Sequence, residues 1–248
     1  MDFDLNNRHV VIVGGNRGIG LEIAKGFLAQ GATVTITSED QSVFDAQASL
    51  NKGSAKKVEA LQFDITNRDE VNAAFDTLGH IDVLVNNSGV FWDTPSDDRS
   101  AKNYDTFVKQ LMINVVGTWW CAMAAVPHMA DGGRIIFTAS ISGRLGSPKH
   151  AGYAASKHAV LGMVKSMAKD LGPLGISVNA VCPGSSATDT NLKSLPLERQ
   201  ELAARNMALH PGLLDPSDHV GSYLFLASPA AAHITGQTIT VDRGQTCI

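Results

Sequence analysis

The sequence has no hydrophobic run long enough to cross a membrane. The longest, residues 119–126, is far shorter than the ~20 residues that a bilayer requires. It also has no excess of basic charge, since 20 Lys and Arg stand against 24 Asp and Glu, a net charge of −4. Basic residues cluster no further than pairs such as Lys56-Lys57. We therefore expect no binding to nucleic acid or to a membrane surface.

Cysteine is scarce, and its pattern indicates a reducing compartment. Cys121, Cys182 and Cys247 are odd in number and far apart, which is typical of free thiols. The eight histidines form no HExxH motif and no zinc-type cluster with cysteine, so we expect no metal site. The first ten residues contain two aspartates and lack the apolar stretch of a secretory signal. These features predict a cytoplasmic protein.

The 248 residues are 44% hydrophobic and 18% charged, which suits one large domain, residues 1–248. Strands alternate with helix-length segments along it. The predicted strands are 9–13, 33–37, 58–63, 81–86, 134–139, 177–182 and 238–241, and the predicted helices include 19–30, 70–78 and 153–171. Several strands are apolar on both faces, as in a sheet covered by helices on both sides. The pattern predicts an α/β fold with a doubly wound parallel sheet, the Rossmann fold.

One apolar stripe follows the i, i+3, i+4 spacing of a helix. Its members are Met112, Val115, Val116, Trp119, Trp120 and Met123. We expect this stripe to pack into the core, with a subunit interface as the alternative.

A glycine-rich turn follows the first predicted strand. Gly14, Gly18 and Gly20 lie between that strand and an amphipathic helix. Glycine permits positive φ angles and close approach of the backbone to a bulky ligand. The unpaired amides and the macrodipole at a helix N-terminus attract a pyrophosphate. The strand, turn and helix together predict a dinucleotide site.

The end of the second predicted strand bears on the choice between NAD and NADP. An NAD site usually presents an acidic residue there to the ribose 2′-hydroxyl, and this chain has Ser38 instead. Arg17, inside the glycine turn, offers a cation to a 2′-phosphate, whereas Glu39 would repel one. The balance favours NADP(H), and NAD(H) stays open.

Three further residues form a candidate catalytic group. Tyr153 and Lys157 are one helical turn apart on the same face, and Ser140 ends the fifth predicted strand. A nearby ammonium stabilises phenolate and so lowers the pKa of tyrosine. Such a tyrosine can exchange a proton with a carbonyl or alcohol oxygen, to which Ser140 could also hydrogen-bond.

At this point the whole chain resembles the short-chain dehydrogenase/reductases, in their single-domain branch. The glycine motif TGxxxGxG stands here as VGGNRGIG, NNAG as Asn86-Asn87-Ser88-Gly89, PGxxxT as Pro183-Gly184 with Thr188, and the last strand as GQTITVD at 236–242. Arg243 replaces a glycine in the common VDGG ending, and the sequence assigns it no role. The resemblance implies a homo-oligomer, a dimer or a tetramer.

The resemblance also implies roles for the site residues. Tyr153 would be the acid/base, and Lys157 would lower its pKa and hold the nicotinamide ribose. Ser140 would position the substrate oxygen, and Asn114, in INVVG, would anchor a water in the proton relay. The expected cofactor-binding residues are Gly14, Asn16, Arg17, Gly18, Ile19, Gly20, Ser38, Asp64, Ile65, Asn87, Gly89, Tyr153, Lys157, Pro183, Gly184 and Thr188.

Candidate substrate residues follow the strand ends, where such sheets form their ligand crevice. Phe91 and Trp92 follow the NNSG strand end, and Ser142 and His150 lie between Ser140 and Tyr153. The segment 188–216, interrupted by three prolines, is expected to cover the substrate.

Taken together, these features predict an NAD(P)-dependent oxidoreductase that interconverts a small-molecule secondary alcohol and ketone by hydride transfer. The glycine turn and Ser38 resemble those of the NADPH-using ketoreductases, including 3-oxoacyl carrier-protein reductases. The alternatives are an NAD-dependent cis-dihydrodiol dehydrogenase and a dinucleotide-binding regulator without catalysis. The regulator would be expected to lose Tyr153 or Lys157, and the chain keeps both.

Overall fold

A computed structural model describes residues 2–52, 56–188, 192 and 197–247. Its described part contains one parallel sheet in the order β3-β2-β1-β4-β5-β6-β7. The strands are β1 His9–Val13, β2 Thr33–Ser38, β3 Val58–Gln62, β4 Val83–Asn86, β5 Arg134–Thr138, β6 Ser177–Pro183 and β7 Thr238–Val241. The doubly wound parallel sheet is confirmed, and the bounds of β1 and β7 match their predictions.

Helices flank the sheet on both faces. The α-helices that the described ranges give with both bounds are α1 Gly18–Ala29, α2 Ser42–Lys52, α3 Arg68–Asp76, α4 Ala101–Leu111, α5 Thr118–Ala125, α6 Ala151–Leu171, α7 Leu197–Arg205 and α8 Val220–Ala227. A π-helix, Met112–Gly117, joins α4 directly to α5. Among these described helices, none combines the length and the apolar character needed to span a bilayer.

Alternate residues of the strands supply two separate cores. Val11 and Leu84 belong to the cluster beneath α3, α5 and α6, whereas Val10 and Val83 belong to the cluster beneath α1 and α8. Successive side chains of a strand point to opposite faces of the sheet, so an apolar run buries both faces. The two cores fix the position of the strand ends, where the polar residues of the site lie.

The predicted core stripe at 112–123 is confirmed only at its edge, where the partly buried Trp120 and Met123 pack against the core. None of its six members is buried, and Trp119 is 42% exposed. The face turned to the protein interior instead carries small or polar residues: Asn114, Gly117, Thr118, Cys121, Ala122 and Ala125. The backbone passes too close for a large residue, because a Cβ at Gly117 would lie 2.7 Å from the Ile65 carbonyl oxygen. The wider π turn also changes which residues face inward. The interface alternative therefore remains for the other members, Met112, Val115, Val116 and Trp119.

Candidate active site

The glycine turn has a shape that only glycine can adopt. Gly14 has φ +79°, and a Cβ there would lie 2.6 Å from Ser88 Oγ. At Gly20 a Cβ would lie 2.0 Å from the Gly14 carbonyl oxygen. Arg17 is the N-cap of α1, and no hydrogen bond from its side chain caps the helix. Backbone amides of the first turn therefore face the cleft, and this cradle fits the pyrophosphate of a dinucleotide.

A chain of hydrogen bonds fixes that turn from below. The Tyr223 and Thr138 hydroxyls lie 2.8 Å apart, Thr138 Oγ1 donates to Asn87 Oδ1 at 3.2 Å, and Asn87 Nδ2 donates to the Gly14 carbonyl at 2.8 Å. Tyr223 is fully buried. Sequence reasoning missed Tyr223 and Thr138. The sequence feature that could have indicated Tyr223 is its position in the otherwise apolar helix α8, because a buried phenol needs a hydrogen-bond partner.

Lys157 and Tyr153 lie side by side at the start of α6. The Lys157 ammonium donates to the Thr138 carbonyl at 2.8 Å and lies 5.7 Å from the centre of the Tyr153 ring. Burial lowers the pKa of Lys157 to about 8. Burial raises the pKa of Tyr153, and its hydrogen bond with Ser140 opposes that rise. The expected lowering of the tyrosine pKa is therefore not seen in this structure, because desolvation of the phenolate outweighs the favourable contacts.

Asn114 occupies the π-helix and holds the loop after β4. Its Nδ2 donates to the Val90 carbonyl at 2.9 Å and to Ser156 Oγ at 3.0 Å, while its Oδ1 accepts from the Val90 amide at 2.8 Å. The side chain is 1% exposed. It therefore fixes the loop that carries Gly89 and Phe91 beside Lys157.

The adenosine end of the cleft carries the charged residues. Arg17, Ser38, Glu39 and Asp64 line it. Within the described ranges Arg17 forms no ion pair with an acidic residue. The pKa of Asp40 is lowered mainly by hydrogen bonds from Ser42, and the charge of Arg17 makes a smaller contribution to that lowering. Both a cation and carboxylates thus line this end of the cleft.

These parts meet in one cleft of about 700 Å³ along the carboxyl ends of the strands. All the predicted site residues line it except Gly20, Asn114 and Trp92. Gly20 lies under the turn and Asn114 behind the loop. The cleft lining also includes residues that sequence reasoning missed: Leu145, Ser147, Ser185, Ser186, Leu202, Asn206 and Gln245. Only their position after strand ends, or within the expected cover, could have indicated them.

The predicted substrate residues divide into two groups. Phe91, Ser142 and His150 line the cleft, as predicted. Trp92 does not, because its amide is bound by Gln110 Oε1 at 2.8 Å and its ring lies 5.9 Å from the Lys109 ammonium on α4. Trp92 therefore lies outside the described cleft lining, on the side of α4.

The cover of the cleft is anchored by Arg243. Residues 189–191 and 193–196 of the predicted cover lie outside the described residues, but Leu202, Ala203 and Asn206 line the cleft. Arg243 has φ +50°, and its guanidinium donates to the carbonyls of His210 and Gly212 at 3.2 and 3.3 Å and pairs with Asp218 at 2.6 Å. Its own carbonyl accepts from the Leu209 amide at 2.9 Å.

The three thiols differ in access to solvent. Cys121 and Cys182 are buried, and burial raises the pKa of each. Cys247 is exposed and lies four residues beyond Arg243. No group of His, Cys, Asp and Glu within the described part of the chain is arranged to hold a metal ion.

Comparison with known proteins identifies the family. A family model described as enoyl-(acyl carrier protein) reductase matches residues 13–246. The chain is 34% identical to the 3-oxoacyl-[acyl-carrier-protein] reductase of Synechocystis sp., covering 94% of this chain and 95% of that one. It is also 34% identical to the 3alpha-hydroxysteroid dehydrogenase of Mediterraneibacter gnavus, covering 96% of each.

A crystal structure shares the fold. That of a short chain dehydrogenase from Burkholderia cenocepacia in complex with NADP superposes with a TM-score of 0.88, at 32% identity, over 97% of this chain and 98% of that one. The sequence similarity and the shared fold both extend over nearly the whole chain. The chain therefore belongs to the short-chain dehydrogenase/reductase family and is a nicotinamide-dependent oxidoreductase that acts on CH–OH groups.

Proposed function

We propose that the chain is an NADP(H)-preferring ketoreductase that interconverts a ketone and a secondary alcohol, with Tyr153 as the acid/base. The observation that carries the proposal is that Ser140, Tyr153 and Lys157 line the same cleft as the glycine turn. The names of the two curated relatives, a 3-oxoacyl reductase and a 3alpha-hydroxysteroid dehydrogenase, support a ketone or alcohol carbon as the reacting centre.

The protein residues handle the substrate oxygen. When bound, the nicotinamide cofactor supplies or accepts the hydride. Ser140 and Tyr153 hydrogen-bond the carbonyl oxygen, and Tyr153 gives its phenolic proton to that oxygen as negative charge develops there. The raised pKa of Tyr153 keeps the phenol protonated at neutral pH, which suits reduction. The Lys157 ammonium stabilises the phenolate left behind and holds the nicotinamide ribose, and Asn114 holds the loop after β4 in place beside Lys157.

Replacement of Tyr153 by Phe tests this assignment. The change keeps the ring and removes only the hydroxyl, so turnover should fall by roughly 10²–10⁴ while NADPH affinity survives. Tyr104 is an exposed tyrosine on α4, and Tyr104→Phe is the matched control that should keep full turnover. Near-normal turnover by Tyr153→Phe on a ketone that the native protein reduces would refute the assignment.

The preference for NADP(H) rests on the adenosine end. Arg17 offers a planar, permanently charged donor set, and Ser38 leaves room for a 2′-phosphate. Glu39 opposes this preference. In a comparison of kcat/KM with the two cofactors, Arg17→Ala should weaken the NADP preference roughly tenfold and Ser38→Asp should reverse it. A native protein that prefers NAD, with no response to Arg17→Ala, would show that Glu39 controls the site.

Assembly and location complete the proposal. The outer faces of α4 and α5 expose Tyr104 and Val108, 58% and 59% exposed, together with Trp119. Apolar surface of this kind commonly marks a protein interface. It supports a homo-oligomer, a dimer or a tetramer, built on these faces and α6. The free thiols support a cytoplasmic location.

A further inference from the structure

The ring of Phe91 forms one wall of the cleft beside the catalytic tyrosine. Its centre lies 4.7 Å from the centre of the Tyr153 ring, at an interplanar angle of 83°, and 4.4 Å from that of His150. A carbonyl at the Tyr153 hydroxyl must therefore place one of its two substituents near Phe91. We infer that Phe91 determines specificity and that the substrate presents an uncharged, apolar group, a ring or a branched alkyl chain, to this wall. The inference rests on the proposed function.

The Phe91 wall is held in place from behind. His150 is 3% exposed, and its ring nitrogens lie 3.1 Å from Asp93 Oδ1 and 3.2 Å from Ser147 Oγ. Asp93 and Ser147 belong to the loops after β4 and β5, so His150 ties these two loops together. A bridge from Thr94 to His150, with the Thr94 amide 2.7 Å from the Lys149 carbonyl, reinforces the tie. The aromatic ring is thus prearranged and does not have to be ordered by the substrate.

Further apolar side chains line the cleft. Val90, Ile141, Leu145 and Leu202 line the same cleft, and Leu202 is 59% exposed in the cover. An apolar substituent would remove this surface from water, a gain in proportion to the area covered.

The polar side chains that line the cleft away from the adenosine end are mostly neutral. They include Ser142, Asn206 and Gln245. Among the described lining residues, the permanent charges are Arg17, Glu39 and Asp64 at the adenosine end and Lys157 bound to the Thr138 carbonyl. The ring of His150 beside Phe91 faces the Asp93 carboxylate at 3.1 Å. A carboxylate placed against Phe91 would leave water, and among the described lining residues it would meet only the His150 ring, which already faces Asp93, so its burial there is unfavourable.

Two ketones of the same shape test the inference. One is a cyclohexanone that carries an ethyl ester on the carbon opposite the carbonyl, and the other is the corresponding free carboxylate. With saturating NADPH at neutral pH, kcat/KM for the ester should exceed that for the carboxylate by roughly tenfold to a hundredfold. Equal values, or a preference for the carboxylate, would overturn the inference.

Variants of the wall supply a second measurement. Phe91→Ala should raise KM for the ester by roughly tenfold, with NADPH affinity unchanged, and Phe91→Leu should restore most of the loss because it keeps apolar bulk. Leu145→Lys should improve kcat/KM for the carboxylate and weaken that for the ester, whereas Leu174→Lys, at an exposed leucine outside the cleft lining, should change neither. Variants of Phe91 that leave KM unaltered would also refute the inference.

The proposed function fails separately. It fails if no ketone or secondary alcohol, charged or neutral, exchanges hydride with bound cofactor in a Tyr153-dependent way. The inference fails if turnover occurs and goes to the charged members of that panel.

Discussion

Replacement of Arg243 changes several contributions to the free energy of unfolding, and these act in opposite directions. Replacement by Gly removes a partly buried ion pair with Asp218, whose two side chains are 26% and 36% exposed, worth up to about 1 kcal/mol. It also removes two long hydrogen bonds to the carbonyls of His210 and Gly212, together about 1–2 kcal/mol. Glycine relieves the left-handed backbone at φ +50°, which returns about 1 kcal/mol.

The net loss of up to about 2 kcal/mol should lower Tm by no more than about 8 °C. The effect on the cover should be larger than this suggests, because all three contacts bind the segment after α7. We expect faster amide hydrogen exchange at Leu209 and Gly212, a rise in the ketone KM of roughly fivefold, and unchanged NADPH affinity. Arg243→Asn is the matched control, because Asn also tolerates a left-handed backbone without the added flexibility of glycine. The reasoning is refuted if exchange at these amides and KM both stay at native values.

Three further predictions concern the rest of the site and the surface. Burial lowers the pKa of Lys157 to about 8, so the ammonium loses its proton as the pH rises through that value. The value of kcat/KM for NADPH reports the free enzyme and should therefore fall above about pH 8. Lys157→Arg should remove that alkaline fall, and a native profile flat to pH 10 would contradict it. Tyr223→Phe removes the hydrogen bond to Thr138 and should raise the Kd of NADPH about fivefold, measured by fluorescence titration, with little change in kcat. An unchanged Kd would mean that Asn87 alone holds the glycine turn. Val108→Asp puts a charge on the exposed face of α4 and should reduce the mass measured by light scattering, whereas a native mass that is already monomeric would rule out the interface.

The strands could be read from the sequence because they are buried on both faces. Every residue of the run 10–13 is apolar and buried, and Gly14 follows at once. The short motifs were readable for a similar reason, since their chemistry requires particular residues at close spacing. Tyr153 and Lys157 needed only the i, i+4 geometry of one helix to be placed together.

The errors arose where the geometry is not periodic. The π-helix at Met112–Gly117 changes the inward face, and nothing in an apolar spacing pattern reports an extra residue per turn. Contacts between distant segments were equally hidden. Thr138 and Tyr223 are 85 residues apart, and Arg243 meets Asp218 across a turn whose shape is set by tertiary packing.

The unequal exposure of the three thiols makes the native chain ready for site-specific labelling. A thiol reagent needs an accessible sulfur that can ionise, and burial denies both to Cys121 and Cys182. Cys247 alone is exposed, and its sulfur lies in the same C-terminal turn as Arg243 and Gly244. A fluorophore attached there would report, without any engineered cysteine, how this turn moves when the cleft is filled.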